Sequence, residues 1–150
     1  MEKIEVKSGE WVVVCDGRKA LILENQGDEK FPNLRTRETH EHESPRTSEQ
    51  GTDRPGRVQE SATTRSSAVE QTDWHDQAEQ DFLKSLAGRL DKALQANETK
   101  SLIVIAAPRA LGVLRPAYSH AVQAALKAEI SKDMVNMPVY EIEKRLTGKN

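Results

Sequence analysis

Apolar residues in this chain gather in short runs separated by polar stretches, a pattern that predicts several strands. The densest run is Leu102–Ala106, whose β-branched residues indicate a strand buried on both faces. Residues 10–16 and 20–24 predict two further strands, joined by an Asp-Gly turn that favours a hairpin. Residues 31–39 predict a third, more polar strand. We expect these first three strands to form an antiparallel meander.

Helical spacing dominates the second half of the chain. Apolar residues recur every three or four positions over residues 77–96, which predicts one long amphipathic helix. After the buried run, Pro108 is expected to end the strand and begin a helix, which Pro116 then breaks. A helix that lies between a meander and a further strand predicts a mixed sheet.

The last third of the chain contains one ambiguous element. Ser119 is expected to cap a short helix, and residues 127–131 fit either an edge strand or the continuation of that helix. Pro138 is expected to open a terminal helix that ends at Gly148. We therefore predict a single α/β domain over residues 1–150, with a mixed β-sheet and flanking helices.

The centre of the chain, residues 40–76, differs in composition from the segments on either side. It contains few large apolar residues. Its charged residues are four arginines and eight acidic residues, and it has no lysine. Such a segment buries too little apolar surface to offset its ordering entropy. We predict a mobile polar insertion within the domain.

Composition and charge limit the cellular compartments and the classes of binding partner that we expect for this chain. The chain has 150 residues, a formal net charge of −2 and a single cysteine, Cys15, which excludes an internal disulfide. Its first residues lack the apolar core of a signal peptide, and no apolar run approaches the ~20 residues of a membrane helix. We expect a cytoplasmic protein without membrane insertion. Outside residues 40–76 the chain is mildly basic, which permits a nucleic-acid partner without requiring one.

Several sequence blocks, spread over nearly the whole chain, occur in a recognisable order. The most specific block is Ala106-Ala-Pro-Arg-Ala-Leu-Gly-Val-Leu-Arg115. The others are residues 11–20, residues 54–57, Glu79 with Phe82 and Leu83, residues 129–133 and residues 139–143. In this order the blocks resemble the bacterial host-attachment protein family, whose members are required for attachment to host cells.

This resemblance implies both a fold and a cellular setting. Host-attachment proteins are similar in turn to the middle domain of archaeal and eukaryotic peptide-chain release factors, a mixed sheet of ribonuclease H-like topology. The resemblance therefore implies that topology here and a role associated with RNA or the ribosome. The Gly-Gly-Gln tripeptide of release factors does not occur in this sequence, so peptidyl-tRNA hydrolysis is not implied. We expect no cofactor.

Arg109 and Arg115 stand at the two ends of the helix that follows the buried strand. One interpretation is phosphate binding, with Arg109 near the backbone N–H groups of the helix N-terminus. The other is structural, with Arg115 paired to a carboxylate such as Asp133. Further candidate contacts with RNA or a partner protein are Arg18, Lys19 and Arg57.

A metal-dependent nuclease is the principal alternative. A ribonuclease H-like fold would be able to bring Asp16 and Asp133 together, and paired carboxylates can hold a divalent ion that activates water. Glu38 is the candidate for a third carboxylate. Asp16 also precedes a glycine, and this favours a simple turn role.

Three functions thus remain open at the level of sequence. The favoured one is a non-enzymatic binding or regulatory factor of the host-attachment family, associated with RNA or the ribosome. The second is the nuclease that uses Asp16 and Asp133. The third is a protein-interaction module in attachment or biofilm regulation, with residues 40–76 ordering on a partner.

Overall fold

Five strands form one mixed sheet in the computed structural model, which describes residues 3–42 and 64–148. In chain order the strands are β1 (Trp11–Cys15), β2 (Lys19–Asn25), β3 (Leu34–Glu41), β4 (Leu102–Ala106) and β5 (Leu126–Ser131). Their order across the sheet is β3-β2-β1-β4-β5. The β1-β2 and β2-β3 pairs are antiparallel, whereas the β1-β4 and β4-β5 pairs are parallel. This order confirms the predicted mixed sheet and fits the predicted ribonuclease H-like topology.

Helices cover both faces of the sheet. Those described are α1 (Thr64–Gln95), α2 (Pro108–Ala117), α3 (His120–Ala125) and α4 (Val139–Thr147). Side chains of α1, α2 and α3 share one apolar core with β1, β2 and β4, and α4 packs with the N-terminal segment on the opposite face. No helix in the described part of the chain has the length and apolarity that a membrane crossing requires.

Strand β4 shows why its sequence is continuously apolar. Leu102, Val104 and Ala106 point into the core under α1, whereas Ile103 and Ile105 point into the core under α4. All five residues are buried because both faces of the strand are covered. The prediction of a strand buried on both faces is confirmed.

Local signals at element ends are also confirmed. The Ser119 hydroxyl accepts a hydrogen bond from the backbone N–H of Val122 at 3.1 Å and caps α3. Gly148 ends α4 with a φ of 74°, in the left-handed region that glycine adopts without strain. Residues 127–131 belong to β5, so the strand alternative is correct.

Each edge strand carries one residue more than its neighbour. Ile22 pairs with Glu38 and Leu23 with Thr36, so Arg37 is the extra residue in β3. In β5 the same irregularity falls on Lys127, because Leu102 pairs with Leu126 and Ile103 pairs with Ala128. These two positions are β-bulges, which turn the extra side chain out of the regular alternation.

Three predicted boundaries are wrong. Helix α1 begins at Thr64 rather than near residue 77, because hydrophobic periodicity marks where a helix meets the core and not where its backbone begins. Strand β3 spans Leu34–Glu41 instead of residues 31–39. Pro116 lies within the last turn of α2, where its missing N–H removes a single hydrogen bond. Residues 43–63 of the predicted insertion lie outside the described residues.

Candidate functional site

A cleft lies outside the carboxyl ends of β1 and β4. The chain leaves β1 toward β2 on one side and leaves β4 toward α2 and β5 on the other. Open α/β sheets bind ligands in the crevice at such a reversal. Here the crevice has a volume of about 260 Å³. Its polar side chains are Asp16, Arg18, Asp76, Glu79, Gln80 and Arg109.

The turn between β1 and β2 forms one wall of this cleft. The Asp16 carboxylate accepts hydrogen bonds from the backbone N–H groups of Arg18 at 2.8 Å and Lys19 at 2.9 Å. Asp16 therefore has the turn role that its Asp-Gly sequence favours. Glu79 of α1 packs directly over the turn, since a Cβ added to Gly17 would lie 2.8 Å from its Oε1. Glycine at this position allows the carboxylate of α1 to approach the backbone.

Arg109 forms the opposite wall, in the first turn of α2. Its guanidinium makes an ion pair with Asp76 of α1, and 72% of the Arg109 side chain remains exposed. The cap residue Ala107 offers no side-chain hydrogen bond, and the first turn of α2 contains no acidic residue. The helix N-terminus, with its partial positive charge, thus adds to the guanidinium beside the cleft.

The predicted binding residues do not all meet here. Arg18 and Arg109 line the same cleft, and Lys19 begins β2 next to Arg18. Arg115 lies six positions after Arg109, about 9 Å farther along α2. Its Nε contacts Glu129 Oε1 of β5 at 2.9 Å, so its partner is Glu129 rather than Asp133. Arg57 lies outside the described residues.

Burial holds two titratable groups of the core under α1 and α2, Cys15 and Tyr118, in their neutral forms. Burial, reinforced by the neighbouring Asp16 carboxylate, raises the pKa of the Cys15 thiol to about 12. Burial also raises the pKa of Tyr118 above its ordinary value, and the charge of Glu129 adds to the effect. Cys15 is consequently a small core residue and not a thiolate nucleophile at neutral pH.

Asp133 lies at a different place from Asp16. It lines a second pocket, on the α4 face, together with Lys132 and Arg145. Strands β1 and β5 are separated by β4, which puts two strand spacings, about 10 Å, between their ends. The structure therefore does not bring Asp16 and Asp133 together. Among the described side chains, no group of three or more His, Cys, Asp or Glu residues is arranged to hold a metal ion.

A polar cluster that sequence analysis did not predict covers Trp11 at the other end of β1. Arg89 of α1 donates from Nε to Glu38 Oε1 at 3.1 Å and from Nη2 to Glu98 Oε1 at 2.8 Å. Arg37, the extra residue of β3, pairs with Glu98 at 3.1 Å and with Glu24 at 3.3 Å. We call these five charged residues, Glu24, Arg37, Glu38, Arg89 and Glu98, the Trp11 cluster.

The Trp11 cluster combines ion pairing with cation–π contact. The guanidinium carbons of Arg37 and Arg89 lie 5.0 and 5.7 Å from the centroid of the Trp11 ring. Hydrogen bonding from Arg89 lowers the pKa of Glu38 to about 2, and the same donor is the main cause of the lowered pKa of Glu98. Both carboxylate oxygens of Glu38, the candidate third metal ligand, thus accept hydrogen bonds from Arg89.

Comparison with known proteins agrees with the observed topology. Residues 10–146 match the family model described as bacterial archaeo-eukaryotic release factor family 12. A search of curated proteins gives no match. The matched region runs from the residue before β1 to the last turn of α4, and so includes the whole sheet and the cleft. The chain therefore belongs to bacterial archaeo-eukaryotic release factor family 12.

Proposed function

We propose that this protein is a binding factor that associates with RNA, in the setting of the ribosome, through the cleft at the carboxyl ends of β1 and β4. The observation that carries the proposal is that Arg18 and Arg109 line one cleft beside the N-terminus of α2. Guanidinium groups and helix N-terminal N–H groups are both phosphate-binding elements. A ribosomal partner would place the protein in the cytoplasm.

Family membership supports RNA over other anionic ligands. The family is named for its relationship to release factors, proteins that act in translation. The resemblance to host-attachment proteins supplies a cellular phenotype and no binding partner, so it does not choose between ligands. We therefore rest the proposal on the release-factor relationship together with the two arginines.

The test is binding of single-stranded RNA and ribosomes by the full chain and by the double variant R18A/R109A. We expect the wild-type protein to co-sediment with ribosomes at low salt and to be released as salt rises, because phosphate contacts release counterions. Loss of two phosphate contacts makes the negative slope of log K against log salt concentration shallower by about 1.4 for single strands. Fluorescence anisotropy with a labelled oligoribonucleotide measures this slope.

A matched control separates the cleft from general charge. Arg35 of β3 and Lys84 of α1 are exposed cations that do not line the cleft, and the double variant R35A/K84A removes the same total charge. We expect this control to bind as the wild type does. Wild-type protein that fails to bind RNA or ribosomes at any salt concentration would contradict the proposal, as would unchanged binding by R18A/R109A.

A further inference from the structure

A second pocket lies on the α4 face of the sheet, where β5 ends. It has a volume of about 350 Å³ and is lined by Lys3, Lys132, Asp133, Met134, Met137 and Arg145. Three separate parts of the chain meet here: the N-terminal segment, the residues that follow β5, and helix α4. We call it the β5 pocket.

Cations outnumber carboxylates around the β5 pocket. Lys3, Lys132 and Arg145 line the pocket together with a single carboxylate residue, Asp133, and Arg145 Nε contacts Glu141 Oε2 at 3.2 Å. Within the residues that the structure describes, Lys3 and Lys132 form no ion pair. A pocket with unneutralised ammonium groups beside a guanidinium is suited to an anion, in a chain whose overall charge is −2.

The floor of the β5 pocket is apolar. Met134 is 3% exposed and packs in the core under α4, and Met137 is half-buried against the same core. Thioether side chains are polarisable and adapt to flat or irregular apolar groups. An apolar floor under a cationic rim matches a nucleotide, in which a flat base is joined to a phosphate.

The β5 pocket and the cleft lie along one edge of the sheet. Cys15, Ala106 and Ser131 are partners in register, so β1, β4 and β5 end side by side. The residues after β1 and those after β5 are therefore about 10 Å apart across the edge. A single nucleic-acid strand that follows this edge would pass from Arg18 and Arg109 to Lys132.

We infer that the β5 pocket is a second binding site for single-stranded RNA, one that takes a phosphate at its cationic rim and a base on its methionine floor. This inference rests on the proposed function, because it extends the path of an RNA strand bound at the cleft. It adds a second group of contacts, on the other face of the sheet, to those of Arg18 and Arg109.

The two methionines allow a direct test. The full chain is labelled with ¹³C at the methionine methyl groups and titrated with a single-stranded oligoribonucleotide of about 12 nucleotides, within the usual range of single-strand sites. We expect the methyl signals of Met134 and Met137, assigned with the variant M137L, to shift on binding. In K132A/R145A we expect those shifts to disappear and the salt slope to fall by about 1.4.

Parallel variants distinguish failure of this inference from failure of the proposed function. R35A/K84A removes two exposed cations elsewhere and is expected to leave the methyl shifts and the slope unchanged. If R18A/R109A weakens RNA binding while the methyl signals stay fixed in the wild type, the β5 pocket is not a site and the cleft still is. Methyl shifts produced by polyglutamate and not by RNA would overturn the inference in favour of an acidic protein partner. If the wild type binds no RNA, both proposals fail.

Discussion

The Trp11 cluster and the cleft lie at opposite ends of β1 and use the same types of side chain differently. Arg89 binds two carboxylates and is only 26% exposed, whereas Arg109 has one carboxylate partner and is 72% exposed. The first arginine joins α1 to β3 and to the segment after α1. The second leaves most of its surface to solvent. Partner number and burial, and not residue type, separate an arginine that holds the fold from one that is available to a ligand.

The two arginines are expected to differ in how much their removal lowers the stability of the fold, because their carboxylate partners lie in different surroundings. Removal of Arg89 takes the main hydrogen-bond donor from two half-buried carboxylates and leaves Glu38 with His40 alone and Glu98 with Arg37 alone. Removal of Arg109 leaves Asp76 in water, where a surface ion pair contributes little. The comparison can therefore be tested by changing one residue at each end of β1.

The largest effect is expected from R89A. We expect this variant to lower the free energy of unfolding by about 2–3 kcal/mol, because Glu38 loses its charge-assisted hydrogen bonds from Arg89. R109A should change it by less than about 0.5 kcal/mol, since its ion pair is exposed to solvent. Urea unfolding followed by circular dichroism measures both values. Similar destabilisation by the two variants would show that the comparison does not hold.

An intermediate effect is expected from acid. In the folded protein the pKa of Glu38 is about 2, which is below its value in the unfolded chain. As pH falls, the Glu38 carboxylate is therefore protonated in the unfolded chain before it is protonated in the folded protein. The stabilisation is therefore complete above about pH 4.3 and is lost between there and about pH 2. Solvent screens part of the interaction, so we expect a loss of about 1–2 kcal/mol. Urea unfolding at a series of pH values should show a shallower acid dependence for E38Q, and an unchanged dependence would argue against this role.

A smaller effect than that of acid is expected from G17A. The added Cβ would lie 2.8 Å from Glu79 Oε1, but that atom is the end of a flexible side chain and can move away. We expect a loss of less than about 1 kcal/mol, together with a displaced Glu79 in the cleft. The double variant G17A/E79A should recover part of this loss, because residues in contact are energetically coupled. Strictly additive unfolding free energies would mean that Glu79 does not rest on the turn.

Much of the fold was predictable because its signals are local. The apolar run of β4, the Asp-Gly turn after β1 and the glycine that ends α4 each act within a few residues. The mixed sheet followed from the order of these elements. The start of α1 was missed because apolar spacing reports only the part of a helix that packs against the core.

The candidate site was predictable only as separate residues. Arg18 and Arg109 were both candidates, but their convergence depends on the parallel pairing of β1 with β4, strands about 90 positions apart in sequence. The expected pairing of Arg115 with Asp133 is wrong because Arg115 contacts Glu129 of β5 instead, in a segment whose sequence fitted either a strand or a helix. The Trp11 cluster was missed altogether, since Arg89 and Glu38 are 51 positions apart and no spacing rule joins them.

The bulges in the two edge strands, β3 and β5, affect whether the sheets of two molecules can pair edge to edge. A regular exposed edge offers a row of free backbone groups to which another strand can add. In this sheet the extra residue is a cation at each edge, Arg37 in β3 and Lys127 in β5. Lys127 is held by Glu10 and by the backbone carbonyl of Glu5, just as Arg37 is held by Glu24 and Glu98. Each edge is thus irregular and charged, which protects a sheet with a strongly apolar centre from strand-to-strand aggregation.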